Sequence, residues 1–212
     1  MGRRDRDLSS TLIRQFLEVV DSVFGVYLDS TRGFVLVLKD TKRAQRSAIA
    51  LLRGKDPEKA TLEHLDDLAF YYGKGDPSDP NAIVLHRCTQ GQLKARNEPG
   101  GKNYRFIGNM CLVTIYQYWE DHFRSAIAES MGIPKNALKV PVMGDLRRLR
   151  QSIIHHGGIA LPDISKCEIL KWFSPGDEVL VDKSKMEEII LQIKLFFLQM
   201  IDEVQSGGGE SA

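Results

Sequence analysis

Asp145–Gly158 reads DLRRLRQSIIHHGG, a short basic helix that closes on two histidines and two glycines. A helix advances about 100° per residue, so with Arg150 at zero, Leu146 and Ile154 lie about 40° to either side and Ile153 about 60° away. Arg150 is therefore expected to point into the apolar face. Arg148, about 160° round, belongs on the wet side by the same count, and Arg147, about 60° round, at the edge of the stripe. A guanidinium aimed at a core has to be paired or to serve a ligand, because an unpaired buried charge is costly and arginine does not shed its proton. His155 would stand about 140° from Arg150 on a continued helix. Glycines at this point let the chain turn left-handed, so His155 and His156 fall in the last turn and can swing toward whatever Arg150 faces.

Long apolar helices are expected on either side of this stretch. From Asn103 to Ser130, Ile107, Cys111, Leu112, Ile115, Trp119 and Phe123 share one face, and Gly132 stops the run. Relative to Ile115, His122 falls about 20° from the centre of that face and Glu120 about 140° away, which puts His122 inward and Glu120 on a flank. After the basic helix come a polar linker and a Ser-Pro-Gly-Asp turn. Ser184-x-x-Glu187 has the form of a capping box, and Met186, Ile189, Ile190, Ile193, Phe196, Phe197, Met200 and Val204 define a closing helix. Leu195, Leu198 and Ile201 lie beside its main stripe, enough spare apolar surface to support self-association.

Toward the N-terminus, Leu12, Ile13, Phe16, Leu17, Val20, Val23, Phe24 and Tyr27 recur at helical spacing, with Ser9 or Ser10 as the cap. Phe34, Leu38, Thr41, Ala44, Ala48 and Leu51 continue the period behind a basic exposed face, so FVLVLK is read as part of a second helix, kinked near Gly33, rather than as a strand. A third short helix follows Thr61. The segment 73–102 holds Asp-Pro twice and Gly-Gly once and is read as a long irregular loop or insertion, with one short helix near Ile83–Arg87. The expectation is an all-α up-and-down helical bundle, a single domain over residues 1–205. Its N-terminal helices occupy about 8–72, the loop 73–102 and the core 103–205, and residues 206–212 form a flexible tail.

Arg150-x4-His155, set in LRQSIIHH, resembles the R-x4-6-H signature of the HEPN superfamily, the higher eukaryotes and prokaryotes nucleotide-binding domains. The preceding YWEDHFR (Tyr118–Arg124) looks like the helix that faces this signature in such domains. The later SPGDEVLVDKSKMEEIILQIKLFF resembles their closing segment. The resemblance covers roughly residues 104–204. It implies an all-helical module and a metal-independent RNA endonuclease with a composite site across a homodimer, in a prokaryotic toxin or defence setting where a cognate antitoxin is a possible partner. Arg150 and His155 would be the catalytic pair, with Glu120 orienting Arg150 and with Arg147, Gln151 and His156 in support. Gln151 departs from the Asn, Asp or His that many active members carry after the arginine. Where some members have a regulatory tyrosine two residues after the histidine, this chain has Gly157. A non-catalytic interaction or nucleotide-binding module on the same scaffold is the other reading, and Gln151 leans toward it.

Composition narrows the setting. The net charge of +1 over 212 residues gives no global field for nucleic acid, so RNA contact has to come from local patches. Cys88, Cys111 and Cys167 are odd in number and widely spaced, against a disulfide framework or a zinc cluster, and a reducing cytoplasm is expected. MGRRDRD leads into an amphipathic helix rather than an apolar signal segment, and Met110–Tyr116 is too short to span a bilayer, so no membrane partner is expected. Gly100-Gly101-Lys102 lacks the GxxxxGK[ST] pattern of a phosphate loop. No metal or cofactor is called for. Cleaving RNA without a metal needs a proton acceptor for the 2′-hydroxyl, a donor for the leaving oxygen and fixed positive charge around the phosphorane. Histidine and arginine supply these, and a single copy holds only one such pair.

Overall fold

The computed structural model describes residues 3–76 and 78–206. The tail expected to be flexible lies, from position 207 onward, outside them. The chain forms two compact units, one of Met1–Leu28 with Arg105–Ala212 and the other Asp29–Tyr104. Helix α1 (Arg3–Leu52) contributes to both, running as one uninterrupted helix through Gly25 and Gly33. There is thus one helix where two joined near Gly33 were expected, since the 3.6-residue period never breaks and no proline intervenes. FVLVLK is helical, as its spacing indicated. Ser9 and Ser10 lie inside α1 rather than capping it. The Ser9 hydroxyl donates to the Asp5 carbonyl at 2.9 Å and meets the Ser130 hydroxyl at 2.8 Å.

The larger unit holds the main core. Helix α4 (Lys102–Tyr118) passes through one π-helical turn (Trp119–Phe123) into α5 (Arg124–Ser130) and stops at Gly132, whose φ is +70°. Helix α6 spans Pro141–His155 and α7 spans Lys183–Ser206. Phe16 of α1 is the aromatic centre, with ring centroids 5.4 Å from Trp119, 5.3 Å from Phe123 and 5.1 Å from Phe197. Gly108 lets α4 approach the strand-like segment before α7 closely: a Cβ there would lie 2.0 Å from the Val181 carbonyl oxygen. Asn109 fastens the same contact, donating to the Val179 carbonyl at 3.0 Å and accepting from the Val181 N–H at 3.2 Å. Asp182, not Ser184, caps α7, accepting from the Lys185 N–H at 3.0 Å. The Ser-Pro-Gly-Asp turn forms, with Asp177 accepting from the Ser174 N–H.

The smaller unit corrects the loop reading. After α2 (Leu62–Asp67), capped by the Thr61 hydroxyl, the chain forms strand β1 (Ala69–Lys74) and strand β2 (Ile83–Thr89). The two pair antiparallel as a hairpin, so Ile83–Arg87 is strand rather than helix. Helix α3 (Gln90–Asn97) follows at once, its start fixed by a capping box between Thr89 and Gln92. The protein is therefore mainly α, as expected, with one small two-stranded sheet, and most of the described residues of 73–102 are regular structure. Buried Gln45 of α1 ties the unit together, donating to Asp66 at 2.7 Å and to Gln90 at 3.1 Å and accepting from Lys94 at 3.0 Å. Among the described residues, no helix is long and apolar enough to cross a membrane.

Candidate functional site

Helix α6 places its arginines differently from the sequence count. Val142, Asp145, Leu146, Leu149 and Ser152 are buried, which centres the inward stripe on Leu149. From that centre Arg148 and Arg150 lie about 100° to either side, and Arg147 about 160° away. Arg150 and Arg148 are accordingly both half-buried and Arg147 is exposed. The expectation that Arg148 is solvated and Arg147 marginal is thus reversed. Arg148 pairs at 3.2 Å with Asp145, whose carboxylate is fully buried.

Arg150 rests on the edge of the core against α4. Its guanidinium carbon stands 6.0 Å from the centroid of the Tyr116 ring, a cation–π distance. Its Nη2 donates to the side-chain amide oxygen (Oε1) of Gln117 at 3.4 Å, a long bond, and the Gln117 amide nitrogen in turn donates to the Asp121 carboxylate. Arg150 Nε is buried with no hydrogen-bond partner. Glu120 does not orient Arg150. It bridges Arg124 at 3.0 Å and Lys135 at 2.9 Å, and the Lys135 ammonium also reaches the Glu120 carbonyl at 3.1 Å. Burial pushes the Glu120 carboxyl up, yet hydrogen bonds from Lys135 and Arg124 with their charges outweigh it and hold it below the ordinary glutamate range.

Burial raises the Tyr116 phenol, and the Glu120 carboxylate adds to the rise, while Arg147, Arg124 and Arg150 oppose it. Tyr116 is thus the buried group around which these charges gather. A cavity of about 390 Å³ opens beside it, lined by Glu120, Arg124, Lys139, Arg147 and Arg148 among others. With Glu168 also in the lining, four cations stand against two carboxylates, an environment suited to an anion.

The histidines lie elsewhere. His155 ends α6 and His156 caps it, both exposed, and no hydrogen bond or ion pair joins either to Arg150 among the described residues. Gly157 and Gly158 adopt φ of +59° and +85°, so the left-handed turn expected from the sequence forms. Buried Ser152 pins that turn. Its carbonyl accepts from His156 at 3.2 Å and Gly158 at 3.0 Å, and its hydroxyl accepts from the Leu161 N–H at 3.1 Å. Gln151 is half-buried. His122, expected inward, is exposed, its ring 5.9 Å from that of Tyr118. The π turn accounts for this: its wider winding swings His122 off the apolar face.

The structure thus brings together Arg150, Tyr116, Gln117 and Asp121, and separately Glu120, Arg124 and Lys135. Gln117 was legible as the residue one turn before Asp121 on the helix facing the signature, a spacing that allows a Gln–Asp hydrogen bond. Comparison of the chain with protein-family models, with curated proteins and with solved structures gives no match.

Proposed function

We propose that this protein is a metal-independent RNA endonuclease on a HEPN-like helical scaffold, working as a homodimer in a toxin or defence setting. The supporting observation is Arg150: a guanidinium held on the Tyr116 ring and steered by Gln117, with its buried Nε lacking any partner. A cation fixed in this way is pre-ordered for phosphate oxygens, which it can engage through its planar fork. His155, exposed at the end of the same helix, is the group for proton transfer to a bound strand. Since Arg150 and His155 do not meet within one copy, the reading needs the histidine of a second copy or an RNA strand that spans both groups. Gln117 takes the positioning role that Glu120 was expected to fill.

A second reading, a non-catalytic interaction module, is favoured by that same separation and by the engagement of Glu120 with Arg124 and Lys135. The deciding experiment incubates the protein with cellular RNA in excess EDTA, beside Arg150→Ala and His155→Ala variants whose folding is checked by circular dichroism. Cleavage by the parent alone, with cyclic-phosphate ends, supports the nuclease. Equal cleavage by all three, or none by any, supports the module.

A further inference from the structure

Four cations line the cavity of about 390 Å³ beside Tyr116, and two of them have no counter-charge. Arg124 pairs with Glu120, and Arg148 with buried Asp145. Lys139 and Arg147 are exposed and make no hydrogen bond or ion pair among the described residues. Cations gathered around one concave surface repel each other and concentrate anions there.

The balance of charge selects the kind of anion. Against Arg124, Lys139, Arg147 and Arg148 the lining sets only Glu120 and Glu168, which leaves two positive charges. Partners outside the lining do not alter this, since Lys135 on Glu120 and Asp145 on Arg148 cancel. A dianion therefore neutralises the cavity, whereas a phosphodiester, with its single charge, leaves one cation unanswered. A terminal phosphate fits the two free groups: the planar fork of Arg147 can engage two oxygens, and the Lys139 ammonium can serve a third as a point charge. The remaining wall is apolar, with Trp119, Leu138, Val140 and Met143 all core residues that reach the cavity. A bare inorganic anion would leave that wall against water, while a body attached to the phosphate would cover it. The volume is within the range of about 300–1,000 Å³ usual for small-molecule sites.

We propose that this cavity binds the terminal phosphate of a phosphomonoester, with Arg147 and Lys139 holding the dianion and the wall of Trp119, Leu138, Val140 and Met143 receiving its apolar body. Arg150 does not line the cavity, and the proposal stands whether or not the protein cleaves RNA.

The test is isothermal titration calorimetry of the full chain at pH 8, where phenyl phosphate is a dianion. Phenyl phosphate is expected to bind at one site per chain. Inorganic phosphate, which lacks the apolar body, and methyl phenyl phosphate, a diester with one charge, should each bind about tenfold more weakly. Arg147→Gln and Lys139→Gln, both at exposed positions, should each weaken phenyl phosphate about tenfold, while Lys171→Gln, exposed and outside the lining, should leave it unchanged. Circular dichroism confirms that each variant is folded. The absence of saturable binding, equal affinity for either comparison compound, or unchanged affinity in both cavity variants overturns the proposal. Competition then distinguishes the source of the phosphate, using 2′-O-methyl oligonucleotides that cleavage through the 2′-hydroxyl cannot consume. Displacement of phenyl phosphate by the 5′-phosphorylated form alone supports the site and makes its ligand an RNA end; displacement by neither form supports it with a small free phosphomonoester. Displacement by the 5′-hydroxyl form as well would show that backbone diesters suffice, and the proposal would fall.

Discussion

Asp145 is fully buried on α6, and its carboxylate accepts hydrogen bonds from three successive backbone amides: Glu168 at 3.0 and 3.1 Å, Ile169 at 2.7 Å and Leu170 at 2.9 Å. Arg148 adds a fourth contact at 3.2 Å. Asp145→Ala would strand those amides where water cannot readily replace the carboxylate. Leaving a buried donor unsatisfied costs about 1–3 kcal/mol, and since the 168–170 segment can relax at its Glu168 end, the total comes to about 4 kcal/mol. For a chain of this size that corresponds to a fall of about 8–16 °C in Tm. Asp145→Asn should be nearly as damaging, because the amide presents an NH2 donor to N–H groups that need an acceptor. Arg148→Met, which removes one half-buried partner and leaves the three amides on the carboxylate, should cost less, about 2 kcal/mol. Urea unfolding followed by tryptophan fluorescence reads this directly, as both tryptophans, Trp119 and Trp172, belong to the unit concerned. Were Asp145→Ala to cost no more than Arg148→Met, the carboxylate would not be the clamp of this segment.

Other outcomes follow from the same contacts. Gly108→Ala should destabilise the larger unit by about 2 kcal/mol or more, because its Cβ would collide with the Val181 carbonyl oxygen, and denaturant titration measures it. In a cleaving protein, Gln117→Ala should lower the rate about tenfold by releasing Arg150, whereas Glu120→Gln should change it less than about twofold, a contrast read in initial rates. Glu120→Gln should also remove the part of the acid sensitivity that comes from this group. Its lowered carboxyl stabilises the fold above the ordinary glutamate range, and that contribution is lost as pH falls through the lowered value, which a stability–pH profile detects. Burial pushes the Cys111 thiol up to about 11, and burial together with the Asp145 carboxylate pushes Cys167 up to about 12. Both thiols should therefore resist a thiol reagent at pH 8 until the chain unfolds. Their stabilising effect is complete below the ordinary cysteine range and lost as pH rises through these values, so Cys111→Ala with Cys167→Ala should flatten the alkaline fall in stability.

What the sequence disclosed depended on how regular each helix is. The apolar periods of α4, α7 and the first half of α1 held because each stays α-helical over several turns, whereas beyond Gly33 the stripe of α1 did not, since Ala44 and Leu51 are exposed and Gln45 is buried in their place. At Trp119–Phe123 that premise fails. A single π turn leaves Trp119 buried but carries His122 out to solvent, and nothing in YWEDHFR distinguishes such a turn from α-helix. On α6 the period was sound but its centre was misplaced. Counting from Arg150 set Leu146, Ile153 and Ile154 as the inward face, whereas including Leu149 shifts the centre by about 100° and moves Arg148 toward Asp145.

The partners of Glu120 could not be read from distance in sequence: Lys135, fifteen residues on, comes back to Glu120 only through the turn after Gly132. The hairpin, by contrast, could have been read. AFYYGK and IVLHRCT are rich in aromatic and β-branched residues on either side of GDPSDPNA. Within that link Asp76 accepts from the Ser78 N–H at 2.9 Å and Asp79 from the Asn81 N–H at 2.8 Å. Aspartates that accept from the backbone two residues on are marks of a turn, so this stretch was as much a hairpin signal as a loop signal.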